Sequence, residues 1–238
     1  MQIRSMVVVC ALALVACKKQ GGTETASAPS APQPSSQPAA APVVTTAQLV
    51  PTPAGLPDSV DPADNPASKE KIALGYTLFF DKRLSKDDSA ACAGCHLPEH
   101  GWAHPDAVNP KVGGAKNKRN APSMANLAYH TSFYWDGRMP TVEAVSNAAW
   151  KGQLGADPAE VAKKLNAVPG YTERFKQAFN AEASAENIPK ALAAFLRALK
   201  SGDSPYDKSI KGDANALSAQ ASNGSKIFQT ADCVACHT

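Results

Sequence analysis

Two short segments of the chain carry cysteine and histidine in the same order. They are residues 92–96 (CAGCH) and 233–237 (CVACH). Each has the form Cys-x-x-Cys-His, which is the attachment signature of c-type haem. Two thiols three residues apart can reach the two vinyl groups of one porphyrin, and the next residue then presents its imidazole to the iron. We therefore predict two covalent haem c sites, with thioethers at Cys92, Cys95, Cys233 and Cys236 and iron ligands at His96 and His237.

The same cysteines permit three other interpretations. One zinc ion could take both pairs, but the pairs are 138 residues apart from Cys95 to Cys233, and zinc accounts for neither trailing histidine. A thioredoxin-like redox pair needs a βαβ context that the sequence does not indicate. Structural disulfides are plausible in an exported protein. Because the chain has only 5 histidines, a histidine directly after both pairs favours haem.

The N-terminus has the layout of an export signal. Arg4 precedes an apolar run over residues 6–16, which is shorter than the roughly 20 residues that a membrane-spanning helix needs. A positive start, a short apolar core and small residues are typical of a secretory signal. Residues 14–17 (LVAC) resemble the bacterial lipoprotein cleavage box. We predict a signal peptide over residues 1–16 and a periplasmic protein tethered to the membrane by lipidated Cys17. An ordinary signal peptide is the alternative.

Residues 17–65 have the composition of a spacer. The stretch is rich in Ala, Pro, Ser, Thr and Gln, and 10 of the 19 prolines lie between Pro29 and Pro66. Such a segment buries too little apolar surface to offset the entropy of ordering. We predict an extended, mobile tether over residues 17–65. The formal charge of +3 is small and dispersed, which excludes nucleic acid as the main partner.

The remainder of the chain has helical signals and no useful alternating pattern. Hydrophobic residues recur at helical spacing after several capping residues. Residues 96–141 are rich in loop signals instead. We predict an all-α protein built around haem, with helices that begin at Asn65-Pro66, Asp157-Pro158, Pro169, Ile188 and Ser218.

Further short segments surround the two motifs, and one of them, residues 133–138 (FYWDGR), is the most specific. The others are residues 74–85, 119–126, 169–175 and 204–207. In combination they resemble the bacterial di-haem cytochrome c peroxidase family, which includes the maturation enzyme of methylamine dehydrogenase. The resemblance implies two cytochrome c-like domains. It places a peroxidatic domain over residues 66–200 and the beginning of a second, incomplete domain over 201–238, so we expect a C-terminally truncated chain.

The resemblance also implies a chemistry. The N-terminal haem reacts with hydrogen peroxide, while the C-terminal haem collects electrons from a small cytochrome c or a cupredoxin. On this mapping His96 holds the peroxidatic iron and His237 the electron-entry iron. Trp135 matches the tryptophan between the two haems, with a core aromatic as the alternative. Asn120 matches a residue near the family's calcium site, so calcium is a further expectation.

Two departures from the family pattern bear on this chemistry. The family commonly has a distal glutamate that moves a proton during peroxide cleavage, and Gln153 stands at the matching position. An amide hydrogen-bonds peroxide but cannot shuttle a proton. Either a neighbour such as Glu143 substitutes, or the activity is weak, or the chemistry differs. Residues 112–120 also lack the distal histidine of the classical peroxidases, although His100 and His104 lie near the motif.

Open or filled coordination of iron separates oxygen chemistry from electron transfer. With neither histidine bound, the first iron is five-coordinate, as in the maturation-enzyme branch. We predict a cytochrome c peroxidase. The alternatives are a peroxide-dependent, protein-oxidising enzyme of the maturation type and a non-catalytic electron carrier.

Overall fold

The computed structural model describes residues 45–237, and every regular element within this range is a helix. Isolated pairs of bridged residues take the place of strands in this part of the chain. The all-α prediction is therefore confirmed. The helices are α1 (Thr46–Leu49), α2 (Lys69–Phe80), α3 (Val142–Gln153), α4 (Pro158–Asn166), α5 (Pro169–Phe179), α6 (Asn187–Ala198), α7 (Pro205–Ile210) and α8 (Ala219–Thr230).

The core is built on the crossing of α2 and α6. Gly75 lies at the crossing point, and a Cβ atom there would overlap the carbonyl oxygen of Ala191 and lie 2.7 Å from Cβ of Phe195. The glycine therefore lets the two helices approach more closely than any other residue would. Leu78 and Ile188 are fully buried beside this crossing, which thus fixes the end of α2 that leads to the first cysteine motif.

Substituting Gly75 tests this crossing. Gly75→Ala is expected to lower the free energy of unfolding by about 1–3 kcal/mol, because the extra methyl group forces packed helices apart. Gly224→Ala is the matched control, since Gly224 lies in α8 with open space where a Cβ would be. That control should be neutral or stabilising by up to about 1 kcal/mol. Urea unfolding of both variants measures this effect. A free energy of unfolding for Gly75→Ala equal to that of the wild type would contradict the prediction.

Three of the predicted helix starts are confirmed as predicted. The Asp157 carboxylate accepts hydrogen bonds from the backbone N–H groups of Ala159 and Glu160, so it caps α4. Pro169 is the first residue of α5. Ser218 caps α8 through its side-chain oxygen. Helix α6 begins at Asn187, one residue before the predicted start.

The first long helix begins later than predicted. The N-cap of α2 is Ser68, whose side chain accepts a hydrogen bond from the N–H of Lys71. Asn65, the predicted cap, is buried instead. Its amide donates to the Glu143 carboxylate at 2.8 Å and to the carbonyl of Lys190 at 3.0 Å. A side chain with capping chemistry is used here for long-range contacts, so the predicted boundary at Asn65-Pro66 is wrong.

The predicted tether also ends earlier than residue 65. Thr46 is fully buried, and its N–H and hydroxyl both donate to the Asp61 carboxylate. The Lys200 ammonium donates to the carbonyl of Val50. Residues 45–65 therefore order through specific polar contacts, which composition alone does not reveal. The predicted signal peptide, the lipid anchor at Cys17 and the first part of the tether lie outside the described residues.

Helix α3 carries the Gln153 position at its end and was not among the predicted helices. Thr141 caps it by accepting from the N–H of Ala144. The buried Trp150 donates its indole N–H to the carbonyl of Leu84 at 3.0 Å. That carbonyl ends the 3₁₀ turn Lys82–Leu84, which follows α2, so the bond ties α3 to the segment that leads into the first motif. Within residues 45–237, no helix is long and apolar enough to cross a membrane.

Candidate haem-binding site

The two Cys-x-x-Cys-His motifs adopt the same backbone geometry. Each forms a short 3₁₀ turn, at Cys92–Gly94 and at Cys233–Ala235. In each, the histidine N–H donates to the carbonyl of the first cysteine, at 3.0 Å for His96 and 3.1 Å for His237. The turn is therefore a property of the motif, and differences between the two sites come from their surroundings.

The ring of His96 is held in one orientation by two backbone carbonyls. Its Nδ1 lies 3.0 Å from the oxygen of Pro122 and 3.2 Å from that of Trp102. Both partners only accept hydrogen bonds, so Nδ1 carries the proton and Nε2 keeps its lone pair. Burial lowers the pKa of His96, although the two carbonyls act in the opposite direction. A neutral imidazole held through Nδ1 is the usual arrangement of a metal-ligating histidine.

Aromatic side chains connect this histidine to the helix crossing. The ring of Phe79, at the end of α2, lies 6.4 Å from that of His96 and 5.9 Å from that of Trp102. Phe195 of α6 completes the group, at 5.4 Å from Phe79. The close approach at Gly75 thus brings both helices to the first motif and limits the space into which the imidazole can turn.

The thiols of the first motif occupy two different environments. Cys92 packs against the apolar core, and this burial raises its pKa to about 12. Cys95 is partly buried, and its sulfur accepts a hydrogen bond from the Asn109 amide at 2.9 Å. Burial raises the pKa of Cys95 too, while the Asn109 bond opposes that shift.

This set of side chains fits covalent haem. All four described cysteines are free of disulfides, so two thiols stand next to an imidazole with its Nε2 lone pair available. Among residues 45–237, no group of three or more His, Cys, Asp and Glu side chains converges as a metal site would require. A zinc ion shared by both cysteine pairs is therefore not the arrangement that these residues adopt.

The second motif has little around it within the described chain. Cys233, Cys236 and His237 are all exposed, and the His237 ring lies 6.0 Å from that of Phe228. Phe228 is 42% exposed, and its neighbour Ile227 is 55% exposed. The second motif thus has the correct turn and an apolar helix face beside it, but not the enclosure of the first.

Trp135 projects from a loop between Phe133 and Met139, which pair through two backbone hydrogen bonds. It is 63% exposed rather than packed in the core, and its indole N–H donates to the carbonyl of Asn120 at 2.9 Å. The neighbouring Asp136 accepts hydrogen bonds from Arg138 and from Arg119, which lower its pKa to about 2. Hydrogen bonds on both sides of Trp135 therefore hold the loop, while the tryptophan stays accessible.

The two candidate acid positions lie at opposite ends of α3. Ten residues of helix separate Glu143 from Gln153, which corresponds to about 15 Å. The Gln153 side-chain oxygen is buried without a partner in the described chain. Glu143 accepts two hydrogen bonds from Arg197 Nη2, at 2.5 and 2.6 Å. Burial alone would raise the pKa of Glu143. The hydrogen bonds from Arg197 and Asn65 together have the larger effect, so the pKa is lowered. Glu143 is thus a fixed anion and unsuited to proton transfer at the Gln153 position.

Neither histidine of the following loop is held as His96 is. His100 is exposed. His104 is half-buried, and its Nδ1 accepts a hydrogen bond from the N–H of Asp106 at 3.1 Å. Asn120 donates its amide to the carbonyls of His104 and Asp106, which closes this loop. The calcium site expected near Asn120 stays a prediction.

Comparison with known proteins decides the family. The family model described as di-haem cytochrome c peroxidase matches residues 69–215, which is more than half of the chain. The chain belongs to this family. Haem c is accordingly the cofactor that its Cys-x-x-Cys-His motifs imply.

Curated relatives come from both branches of the family. The chain is 40% identical over 190 residues to the methylamine utilization protein MauG of Methylorubrum extorquens, covering 76% of this chain and 53% of that protein. It is 34% identical over 187 residues to the cytochrome c peroxidase Ccp of Escherichia coli, covering 74% of this chain and 38% of that protein. The chain spans about half the length of the MauG relatives that it matches.

A solved structure supports the fold. The crystal structure of a MauG-like protein associated with microbial copper homeostasis superimposes with a TM-score of 0.67 and 33% identity. The match covers 75% of this chain and 54% of that one. The predicted cytochrome c-like, all-α class is therefore confirmed for this member of the di-haem cytochrome c peroxidase family.

The motif residues of this family member are recognisable in the sequence, but the residues that hydrogen-bond to them are not. Pro122 and Trp102 act through backbone carbonyls, which carry no residue-type signal. Asn109 lies 14 residues from Cys95, in a loop without periodicity. These contacts become visible only when the loop after the first motif is folded.

Trp135→Phe is expected to reduce peroxide turnover by about tenfold, equivalent to about 1.4 kcal/mol in the barrier, if the indole relays electrons. Because Trp135 is mostly exposed, stability should change by less than about 0.5 kcal/mol and haem content should not change. Steady-state turnover at equal haem content measures the effect, with Tyr76→Phe as the control on another exposed aromatic. Unaltered turnover in Trp135→Phe would remove the residue from the mechanism.

Proposed function

We propose that the chain is the peroxide-reacting part of a di-haem oxidoreductase that reduces hydrogen peroxide to water with electrons from a small cytochrome c or cupredoxin. The observation that carries the proposal is the setting of His96. Its Nδ1 is bonded to the carbonyl of Pro122, its Nε2 is available, and two free thiols stand in the same turn. Haem, when bound, supplies an iron that coordinates and reduces peroxide.

The proposed roles follow from the motif residues. Cys92 and Cys95 attach the first haem, and His96 ligates its iron. The corresponding residues of the second motif are Cys233, Cys236 and His237. The carbonyls of Pro122 and Trp102 fix the His96 ring and make Nε2 a better electron donor, as second-shell partners of histidine ligands do.

Two further residues have proposed roles in the reaction. Trp135 shortens the path for electrons between the two haem sites. Gln153 orients bound peroxide by donating its amide N–H, while the proton is exchanged with water because an amide cannot supply it. We also propose that the protein lies in the periplasm and that Cys17 is its lipid attachment point. A calcium ion is proposed near Asn120. The boundary between the two domains is proposed at residues 200–201.

A second candidate is a peroxide-dependent enzyme of the maturation type, which oxidises a protein rather than a small electron donor. Gln153 in place of the glutamate and the absence of histidine from residues 112–120 favour it.

The deciding experiment is peroxide-dependent oxidation of a reduced small cytochrome c by the haem-loaded chain. Peroxide-dependent turnover is expected, and His96→Ala should abolish it while His130→Ala, an exposed histidine outside the site, should not. Absence of turnover with both haems present would refute the peroxidase proposal. A high-spin first haem would then favour protein oxidation, whereas a low-spin haem slow with peroxide would favour a simple electron carrier.

A further inference from the structure

Asn109 is a buried polar residue to which the proposed function gives no role. It is only 2% exposed, and its Nδ2 lies 2.9 Å from Sγ of Cys95 and 3.3 Å from the carbonyl oxygen of Pro110. That carbonyl only accepts, so the NH₂ group faces this pair and donates to the sulfur. The Asn109 oxygen is buried without a partner in the described chain. An amide with an unpaired buried oxygen is unfavourable as mere packing.

The loop over residues 109–117 holds Asn109 in place independently of the cysteine. The N–H of Asn117 donates to the carbonyl of Asn109 at 2.9 Å. The N–H of Val112 donates to the carbonyl of Gln153 at 3.2 Å, which ties the loop to the end of α3. The loop therefore connects the Cys95 sulfur to the helix that carries the proposed peroxide-orienting residue.

We propose that Asn109 is a positioning residue for the thioether at Cys95. The inference rests on the proposed haem attachment at the first motif. In that reaction the thiol adds across a vinyl group of the porphyrin. The S–H bond and the C=C π bond break, one C–S and one C–H bond form, and neither an oxidant nor a reductant is needed.

The hydrogen bonds of the Cys95 sulfur explain why Asn109 matters to this product. The free thiol donates to the carbonyl of Pro110 at 3.8 Å and accepts from Asn109. Thioether formation consumes the S–H group, so only the bond from Asn109 persists. Asn109 therefore holds the sulfur both before and after attachment. Cys92 packs against the apolar core instead, so its attachment does not depend on this amide.

The test measures how many thioethers form at the first motif. The full chain is loaded with haem by a c-type maturation system as wild type, Asn109→Leu and Asn109→Asp. The α-band of the reduced pyridine complex distinguishes one thioether from two. Alkylation of any free thiol before the haem peptides are weighed does so as well, because thiol addition to a vinyl group leaves the mass itself unchanged. Cys95→Ser is the singly linked reference. Both variants should lower the ratio of doubly to singly linked haem at residues 92–96 by about fivefold, the effect of losing one hydrogen bond.

Two controls make the result specific. Asn117→Leu alters the same loop at a residue that contacts Asn109 through its backbone N–H, so it should leave the ratio of doubly to singly linked haem at residues 92–96 unchanged. The second motif reports general maturation, and its ratio should not change in any of the variants. Equal double linkage in the wild type and in Asn109→Asp, which keeps the side-chain shape even if Asn109→Leu fails to fold, would overturn the inference. Absence of covalent haem at residues 92–96 of the wild type would instead overturn the proposed function.

Discussion

Replacing Gln153 with glutamate is expected to raise peroxide turnover by about 10²-fold, which is the lower range of what a positioned general acid–base contributes. Gln153 ends α3, and its side-chain oxygen is buried without a partner in the described chain. A carboxyl of the same length would place an acidic proton, which can be transferred, where the amide has only N–H groups that it cannot give up. Glu143 cannot supply that proton, because it is bonded to Arg197 at the other end of the helix.

The pH profile of Gln153→Glu provides a second measurement. Burial disfavours a charged carboxylate, so the pKa of the new group should lie above that of an exposed glutamate. Turnover of the variant should therefore show an ionisation that the wild type lacks. Gln220→Glu adds the same charge on an exposed turn of α8 and should alter neither rate nor profile. Unchanged turnover in Gln153→Glu, at equal haem content and stability, would refute the assignment of Gln153 to the acid position.

The helices with local start signals were predictable from the sequence. Asp157-Pro158 and Ser218 combine a capping side chain with a following apolar stripe, and both begin helices in the structure. Helix α3 lacks such a stripe. Its buried face is formed by Val142, Ser146 and Trp150, and the serine interrupts the pattern that a hydrophobic period would reveal. The helix depends on tertiary packing, which a local sequence pattern does not reveal.

The site divides in the same way. The cysteines and histidines were predictable because their chemistry requires a fixed spacing along the chain. The residues that hold these side chains in place were not predictable, because each of their contacts joins residues that are far apart in the sequence. The carbonyl of Pro122 is 26 residues from His96, and Arg197 is 54 residues from Glu143. Sequence position alone makes Glu143 a candidate acid, and the buried arginine beside it removes that role.

Arg197→Leu is expected to lower the free energy of unfolding at neutral pH by about 3–5 kcal/mol, as is typical when one partner of a buried ion pair is removed. The Arg197 side chain is 5% exposed and that of Glu143 is 18% exposed. The variant would leave the carboxylate with only the Asn65 amide as a described partner. A double replacement, Glu143→Leu with Arg197→Leu, should recover much of the loss because no buried charge then stays unpaired.

The pH dependence of this loss distinguishes lost charge pairing from lost packing. In the wild type the pKa of Glu143 is lowered, so its contribution is present above the pKa of the unfolded chain and disappears as pH falls through the folded value. In Arg197→Leu, burial without the cation raises that pKa, so protonation stabilises the folded state as pH falls. The difference in free energy of unfolding between the wild type and Arg197→Leu should therefore become smaller from neutral pH to about pH 4, near the ordinary pKa of glutamate. Urea unfolding at both pH values measures it, and a constant gap would show that Arg197 acts through packing alone.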